Sequence, residues 1–112
     1  MSLTAKMITV DCPDPRKLAA WWATALGVES VEDFEEFVML GAQPVALGFQ
    51  RVPEPRQGKN RMHVDFVADD RVAEVERLVG LGATVVGENS VPGLTWVTLQ
   101  DPEGNEFCVS GP

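Results

Sequence analysis

Four residues in the second half of the chain carry side chains that can move protons, bind metals or act as nucleophiles. His63 can serve as a general base or a metal ligand, as imidazole side chains commonly do. Asp65 can orient that imidazole or act as an acid, Glu106 is a second candidate acid or base, and Cys108 is a candidate reactive thiol. The structural alternatives are a hydrogen-bonded histidine, solvated carboxylates and a small filler residue in a strand. His63 and Glu106 are the candidates for catalysis.

These residues lie in segments in which apolar and polar residues alternate, as is typical of β-strands. Within each strand, odd-numbered and even-numbered residues point to opposite faces of the sheet. The apolar face, which we expect to pack under two helices, comprises Ile8, Val10, Leu47, Phe49, Met62, Val64, Phe66, Val97, Leu99, Phe107 and Val109. The residues predicted to line a ligand pocket lie on the opposite face: Gln50, His63, Asp65, Trp96, Thr98 and Cys108. Such a face is either the solvated side of an antiparallel sheet or the wall of a cavity with an aromatic platform. A fully exposed Trp96 would be costly, which favours the cavity.

The segment from residue 14 to residue 27 carries a full set of helix signals. Asp14 can cap the N-terminus because its carboxylate accepts an amide hydrogen bond from the first turn, and Pro15 suits the first helical position. Gly27 can adopt the left-handed conformation that ends a helix. The apolar residues follow the spacing of a helix that packs on a core: Leu18, Trp21, Trp22, Ala25 and Leu26.

The same design recurs in the second half, which indicates an internal duplication. Asp14 and Gly27 correspond to Asp69 and Gly82, at an offset of 55 residues. Asp69 or Asp70 is the predicted cap of the second helix, and Gly82 is its predicted end. The predicted buried stripe of this helix comprises Val72, Val75, Leu78 and Val79.

Each predicted helix is preceded by one strand and followed by three, so each half is a βαβββ module. The predicted strands are 7–11, 28–32, 36–40 and 45–52 in the first half, and 62–67, 84–88, 94–100 and 105–110 in the second. The segment Asp101-Pro102-Glu103-Gly104 is a turn signal between the last two strands. The sequence therefore predicts a single α+β domain over residues 1–112, with module 1 at about 7–52, a polar linker at 53–60 and module 2 at about 61–110.

The composition limits the partners and the compartment. A net charge of −8 disfavours phosphate backbones and anionic lipid surfaces, so we expect neither a nucleic-acid nor a membrane partner. The longest apolar runs are too short to cross a bilayer, and no signal-peptide pattern opens the sequence. The two cysteines, Cys12 and Cys108, are interpreted as reduced thiols of a cytoplasmic protein.

The duplicated pattern and the run Asp-Pro-Glu-Gly-Asn-Glu-Phe at 101–107 resemble the vicinal oxygen chelate superfamily over nearly the whole chain. That superfamily includes glyoxalase I, extradiol dioxygenases, and bleomycin and fosfomycin resistance proteins; the chain is most similar to the short glyoxalase-like domains of bacteria. The resemblance implies the glyoxalase/bleomycin resistance/dihydroxybiphenyl dioxygenase fold, in which two βαβββ modules form curved, half-barrel mixed sheets. It also implies a small-molecule ligand and a homodimer.

Metal-dependent members of that superfamily take a His or Glu from the first strand of each module and a Glu from the last strand of each. In this chain the resemblance places those positions on Met7 or Ile8, on Gly48, on His63 and on Cys108. Only His63 matches, and the usual divalent ions favour oxygen or imidazole donors. We therefore predict neither the usual metal site nor another cofactor. The alternative is a rearranged site, for instance for Zn²⁺, formed by His63, Asp65, Glu106 and Cys108.

The sequence predicts a small-molecule-binding, glyoxalase-like protein that lacks the usual metal site. One alternative is an atypical lyase or isomerase in which His63 transfers a proton together with Asp65 or Glu106. In that case the base is available, but the sequence shows no group that would stabilise an oxyanion. The other alternative is a metal-dependent lyase of the glyoxalase I type.

Overall fold

A computed structural model describes residues 5–55, 57–58, 60 and 62–112. The chain divides into unit 1, Met1–Pro55, and unit 2, Arg56–Pro112, and the boundary falls within the predicted linker at 53–60. Positions 56 and 59 of that linker, and position 61 at the predicted start of module 2, lie outside the described residues. None of the helices in the described part of the chain is long and apolar enough to cross a membrane.

Unit 1 is an open four-stranded mixed sheet with one helix. Its elements are β1 (Met7–Cys12), α1 (Pro15–Leu26), β2 (Val31–Asp33), β3 (Phe37–Leu40) and β4 (Ala46–Arg51). The strand order is β1-β4-β3-β2, in which β1 runs parallel to β4 and the other pairs are antiparallel. The parallel pair requires a crossover connection, and α1 provides its first part.

The predicted signals of α1 are confirmed. The Asp14 carboxylate accepts a hydrogen bond from the Lys17 amide at 3.2 Å, and Gly27 follows the helix with a φ of 67°. Trp22 is buried and makes an edge-to-face contact with the half-buried Trp21, at 5.0 Å between ring centroids. Ile8 was expected in this core but is 38% exposed. It lies on β1, at the edge of the sheet that the described residues of unit 1 form.

Unit 2 repeats the architecture of unit 1. Its elements are β5 (Val64–Val67), α2 (Arg71–Gly80), β6 (Thr84–Val91), β7 (Leu94–Gln100) and β8 (Glu106–Ser110). The strand order is β5-β8-β7-β6, with β5 parallel to β8 and the other pairs antiparallel. The predicted fold class, α+β with two βαβββ modules and open, curved mixed sheets, is confirmed.

The helix of unit 2 buries less of its apolar face than the spacing predicts. Leu78 is buried, whereas Val72 is 57% exposed and Val79 is 44% exposed, so the predicted buried stripe is wrong at both valines. Asp70 caps the helix by accepting a hydrogen bond from the Ala73 amide at 3.1 Å. Met62 was expected in the core but is 83% exposed, because it precedes the first residue of β5.

The core of unit 2 is formed by the predicted apolar faces of β7 and β8. Val97, Leu99, Phe107 and Val109 are all buried, and Phe107 meets Phe66 edge to face at 5.9 Å between ring centroids. Burial of each large apolar side chain stabilises the fold by about 1.5 to 3 kcal/mol. Since alternate residues point to opposite faces, this burial directs the intervening side chains of β7 and β8 to the other face of the sheet.

The turn between β7 and β8 is organised by one buried carboxylate. Asp101 is 4% exposed, and its Oδ1 accepts hydrogen bonds from the backbone amides of Glu103 and Asn105, both at 2.9 Å. The Asn105 side-chain amide donates to Oδ1 at 3.2 Å and to Oδ2 at 3.0 Å. Gly104 occupies a position with a φ of 85°, which favours glycine. The run at 101–107 that carries the family resemblance therefore has a structural role, since it fixes the register of β7 against β8.

The carboxylate of Asp33 in unit 1 should titrate below the ordinary value of 3.8. It accepts a hydrogen bond from the Glu35 amide at 2.7 Å and contacts the Arg16 guanidinium at 2.9 Å, and these interactions lower its pKa in that order of importance. A carboxyl group whose pKa is lower in the folded state than in the unfolded state stabilises the fold at pH values above its unfolded-state pKa. This stability is lost as the pH falls through the folded-state pKa. The measurement is an NMR titration of the Asp33 carboxyl carbon.

The Arg16→Ala variant provides the control for this titration. The Glu35 amide remains in place, so the pKa of Asp33 should rise only part of the way toward 3.8. The effect on stability is small because the side chain is exposed and screened by solvent. A wild-type pKa at or above 3.8 would contradict the assignment.

Candidate functional site

The register of unit 2 brings the predicted pocket residues of three strands onto one face of the sheet. Asp65 on β5 is the partner of Cys108 on β8, and Cys108 is in turn the partner of Thr98 on β7. Trp96 and Ser110 form the next pair on this face. Partners in register point to the same side of a sheet, so these side chains form a continuous surface across three strands.

A depression of about 550 Å³ lies over this face. The described residues that line it are His63, Asp65, Phe66, Asn89, Leu94, Trp96, Thr98, Glu106, Cys108 and Ser110. The structure therefore brings together every predicted site residue of the second half. Gln50 is not among them; it lies on β4 of unit 1, where its Nε2 is 3.5 Å from the carbonyl oxygen of Glu36. The volume lies in the range of small-molecule sites.

Four residues of this lining were not among the predicted site residues: Phe66, which was predicted for the opposite apolar face, Asn89, Leu94 and Ser110. Asn89 lies on β6 opposite Trp96, and the strand was predicted to end at residue 88, whereas it continues to Val91. A register shift between Val85 and Gly87 interrupts the alternation of side chains in β6. The alternation in the sequence therefore does not indicate that β6 continues beyond residue 88. Leu94 shares its parity with Trp96 on β7, so the alternation did contain the signal for it.

The side chains of His63 and Asp65 are in close contact where β5 begins. Their Nδ1 and Oδ1 atoms are 3.0 Å apart, and both side chains are accessible to solvent. The carboxylate attracts a proton on Nδ1, and in that tautomer the lone pair of the neutral ring lies on Nε2. This arrangement is one in which an imidazole can accept a proton or bind a cation.

Cys108 is buried beside this pair. Its Sγ is 4.0 Å from His63 Nδ1 and 3.5 Å from the hydroxyl oxygen of Thr98. Burial raises the pKa of the thiol, the Thr98 hydrogen bond opposes that shift, and the Asp65 and Glu106 carboxylates reinforce it. Without a bound cation the thiol therefore stays protonated at neutral pH, which argues against a nucleophilic role.

Asn60 connects the segment before β5 to the edge of β8. Its Oδ1 accepts a hydrogen bond from the Glu106 amide at 2.9 Å, and its Nδ2 lies 3.3 Å from the Glu106 carbonyl oxygen. The same Nδ2 donates to the carbonyl oxygen of Met62. The Asn60 amide thus acts like one more residue of the β5–β8 ladder and holds the chain on which His63 lies. Its position in a polar linker gave no sign of this role.

Comparison with known proteins settles the family. Residues 7–110 match a family model described as a glyoxalase-like domain. The chain belongs to the glyoxalase-like domain family. Together with the structural neighbours described next, this assignment places it in the vicinal oxygen chelate superfamily. A search of curated proteins returned no match to this glyoxalase-like domain.

Solved structures share the fold of this glyoxalase-like domain at low sequence identity. A glyoxalase/bleomycin resistance protein/dioxygenase family enzyme from Burkholderia phytofirmans PsJN has a TM-score of 0.80 at 17% identity, over 95% of this chain and 96% of that chain. A glyoxalase-related enzyme from Fulvimarina pelagi has a TM-score of 0.79 at 16% identity, over 99% and 89% of the two chains. Lactoylglutathione lyase from Agrobacterium tumefaciens has a TM-score of 0.74 at 19% identity, over 98% and 94%. At these identities the likeness shows the fold alone.

The residues of unit 1 do not fit the metal ligation that the resemblance implies. Gly48 lies where a ligating carboxylate would be needed, and a Cβ built on it would lie 2.7 Å from Cζ of Phe37 and 3.0 Å from the sulfur of Met7. The Phe37 ring therefore occupies the space of a side chain at position 48. Met7 offers a thioether, which is a poor donor for Mg²⁺ or Mn²⁺. Only unit 2 retains donors at the implied positions.

Proposed function

We propose that this glyoxalase-like domain binds a small organic molecule in the depression of unit 2, and that the molecule carries a planar ring and a neutral or positive charge. The observation that carries the proposal is the row of side chains across β5, β8 and β7, in which Trp96 lies beside polar groups. An indole gives a large flat contact surface that favours aromatic and cationic ligands.

The charge of the ligand follows from the described lining. Two carboxylates, Asp65 and Glu106, line the depression, and its described residues include no Lys or Arg. The protein as a whole carries a net charge of −8. An anionic ligand would be repelled at long range and would meet no Lys or Arg among the described lining residues, whereas a cationic one is attracted at both stages.

Ligand titrations in EDTA-containing buffer test the proposal. Suitable probes are planar aromatic amines, matched aromatic carboxylates and a cationic glycopeptide antibiotic such as bleomycin. We expect saturable binding of the cationic probes, and Trp96→Ala should weaken it about tenfold, because a desolvated cation–π or stacking contact contributes roughly 1 to 2 kcal/mol. Calorimetry measures the affinity, and Trp fluorescence reports the contact.

Trp21→Phe is the matched control, since Trp21 belongs to α1 of unit 1. This variant should keep the ligand-induced fluorescence change, whereas Trp96→Phe should lose it. The proposal fails if no probe saturates the wild-type protein, or if Trp96→Ala leaves all affinities unchanged.

A second candidate function is proton transfer by a lyase or isomerase. The 3.0 Å contact between His63 Nδ1 and Asp65 Oδ1 favours it, because it holds the imidazole as an oriented base. The described lining offers only neutral donors, such as Thr98 and Asn89, to a developing oxyanion. Binding is therefore the better supported function. Catalysis would become the better supported function if the protein converted a bound probe into a released product. The His63→Ala variant should then lose this conversion while its melting temperature stays unchanged.

A further inference from the structure

Three different metal-binding side chains meet within unit 2. His63, Asp65 and Cys108 each offer one donor atom, and the three atoms lie within 4.8 Å of one another. We propose that these residues form a site for a thiophilic divalent ion, of the class of Zn²⁺ and Co²⁺. This inference goes beyond the proposed function, because the ion needs no organic ligand in order to bind.

The donor spacing suits a small tetrahedral ion. His63 Nδ1 is 3.0 Å from Asp65 Oδ1 and 4.0 Å from Cys108 Sγ. Bonds of about 2.0 Å to nitrogen or oxygen and about 2.3 Å to sulfur place the donors of a tetrahedral zinc ion roughly 3.3 to 3.6 Å apart. The two distances lie on either side of that range, and the third pair of donor atoms lies within 4.8 Å, so movements of the exposed His63 and Asp65 side chains bring the three donors to tetrahedral spacing.

The sheet itself arranges the three donors. Cys108 is the direct partner of Asp65 on the neighbouring strand, and His63, which immediately precedes β5, contacts both side chains. The Thr98 hydroxyl touches the sulfur at 3.5 Å from the other side. The backbone ladder holds Asp65 and Cys108 side by side, which lowers the entropy cost of ordering these two donors when the ion binds.

The chemistry of the donor set selects the class of ion. One sulfur, one imidazole nitrogen and one carboxylate oxygen suit Zn²⁺ or Co²⁺, whereas Mg²⁺ and Ca²⁺ require oxygen ligands. On binding, the Cys108 proton passes to the buffer, and His63 binds through Nδ1 with its remaining proton on Nε2. The set differs from the four-ligand pattern implied by the family, because it takes no residue from unit 1 and includes a thiolate. A fourth position remains for water or ligand.

Titration with Co²⁺ alone, under reducing conditions and with no organic ligand, tests the site. We expect one equivalent to bind with a thiolate-to-cobalt charge-transfer band and intense visible d–d bands, and Zn²⁺ but not Mg²⁺ to bleach them. Cys108→Ser should lose the charge-transfer band. Loss of an outer-sphere partner alone weakens metal sites about 10- to 100-fold, so His63→Ala should weaken binding by at least about tenfold.

Cys12→Ser is the matched control, since Cys12 is the other buried thiol and belongs to unit 1. It should keep both the band and the affinity. If Cys108 variants do not fold, the exposed His63 and Asp65 still allow His63→Ala and Asp65→Asn to be measured. The inference is overturned if Co²⁺ does not bind stoichiometrically, or if the spectrum is the same in Cys108→Ser. Such a failure leaves the ligand titrations in EDTA unaffected.

Discussion

Replacing Asp101 with alanine is expected to destabilise the protein by about 2 to 4 kcal/mol. The substitution removes a buried carboxylate that accepts hydrogen bonds from the Glu103 amide and from the backbone and side-chain amides of Asn105. These donors would be left in a part-buried turn without their charged acceptor. The measurement is urea denaturation of the variant against the wild type, followed by circular dichroism.

Glu103→Ala controls for the change of turn composition. The Glu103 side chain is exposed, and only its backbone amide takes part in the network, so its loss should change stability by less than about 0.5 kcal/mol. Asp101→Asn should fall between the two, because it keeps one acceptor oxygen but loses the charge. An Asp101→Ala midpoint equal to that of Glu103→Ala would show that the network contributes nothing.

Replacing Asn60 with alanine is expected to destabilise the protein by about 1 to 3 kcal/mol. Both backbone groups of Glu106 lose a partner, and so does the carbonyl oxygen of Met62. The segment that carries His63 then loses its attachment to β8, so cobalt affinity should fall as well. Chemical denaturation and the Co²⁺ titration measure the two effects.

Asn60→Asp separates the two halves of the amide. A carboxylate keeps the acceptor for the Glu106 amide but turns an oxygen toward two carbonyl oxygens, so this variant should be at least as unstable as Asn60→Ala. Gln57 lies at an exposed position of the same segment, so Gln57→Ala should have the same denaturation midpoint as the wild type. If Asn60→Ala unfolded at the same denaturant concentration as the wild type, the hydrogen bonds of Asn60 would make no contribution to stability.

Local signals made most of the fold predictable. The caps Asp14 and Asp70 and the turn at Asp101 depend on hydrogen bonds between residues close in sequence, so their residue types alone indicate them. The apolar faces of β7 and β8 were equally accessible, because a buried strand face leaves a strict alternation. Val72 and Val79 show the limit of this approach. A helical stripe predicts which residues share a face, but not how much of that face the sheet covers.

The sequence predicted which side chains of the site share a face of the sheet, but not the distances between them. Parity placed His63, Asp65 and Cys108 together, but the 3.0 Å and 4.0 Å contacts depend on strand register and rotamers, which arise from the whole unit. Asn60 was missed because a side-chain amide that mimics backbone leaves no periodic trace. The ligand, the homodimer and the cytoplasmic location remain predictions.

The Phe37 ring over Gly48 constrains the order in which substitutions can be accepted in this chain. A side chain at position 48 meets that ring at 2.7 Å, so a carboxylate there requires the ring to move, at a cost that a smaller residue at position 37 would remove. The two sites are therefore epistatic, and the effect of either substitution depends on which comes first. A directed-evolution experiment that seeks a donor in the first module should therefore vary residues 37 and 48 together, since a substitution at residue 48 alone loses stability to the contact with the ring.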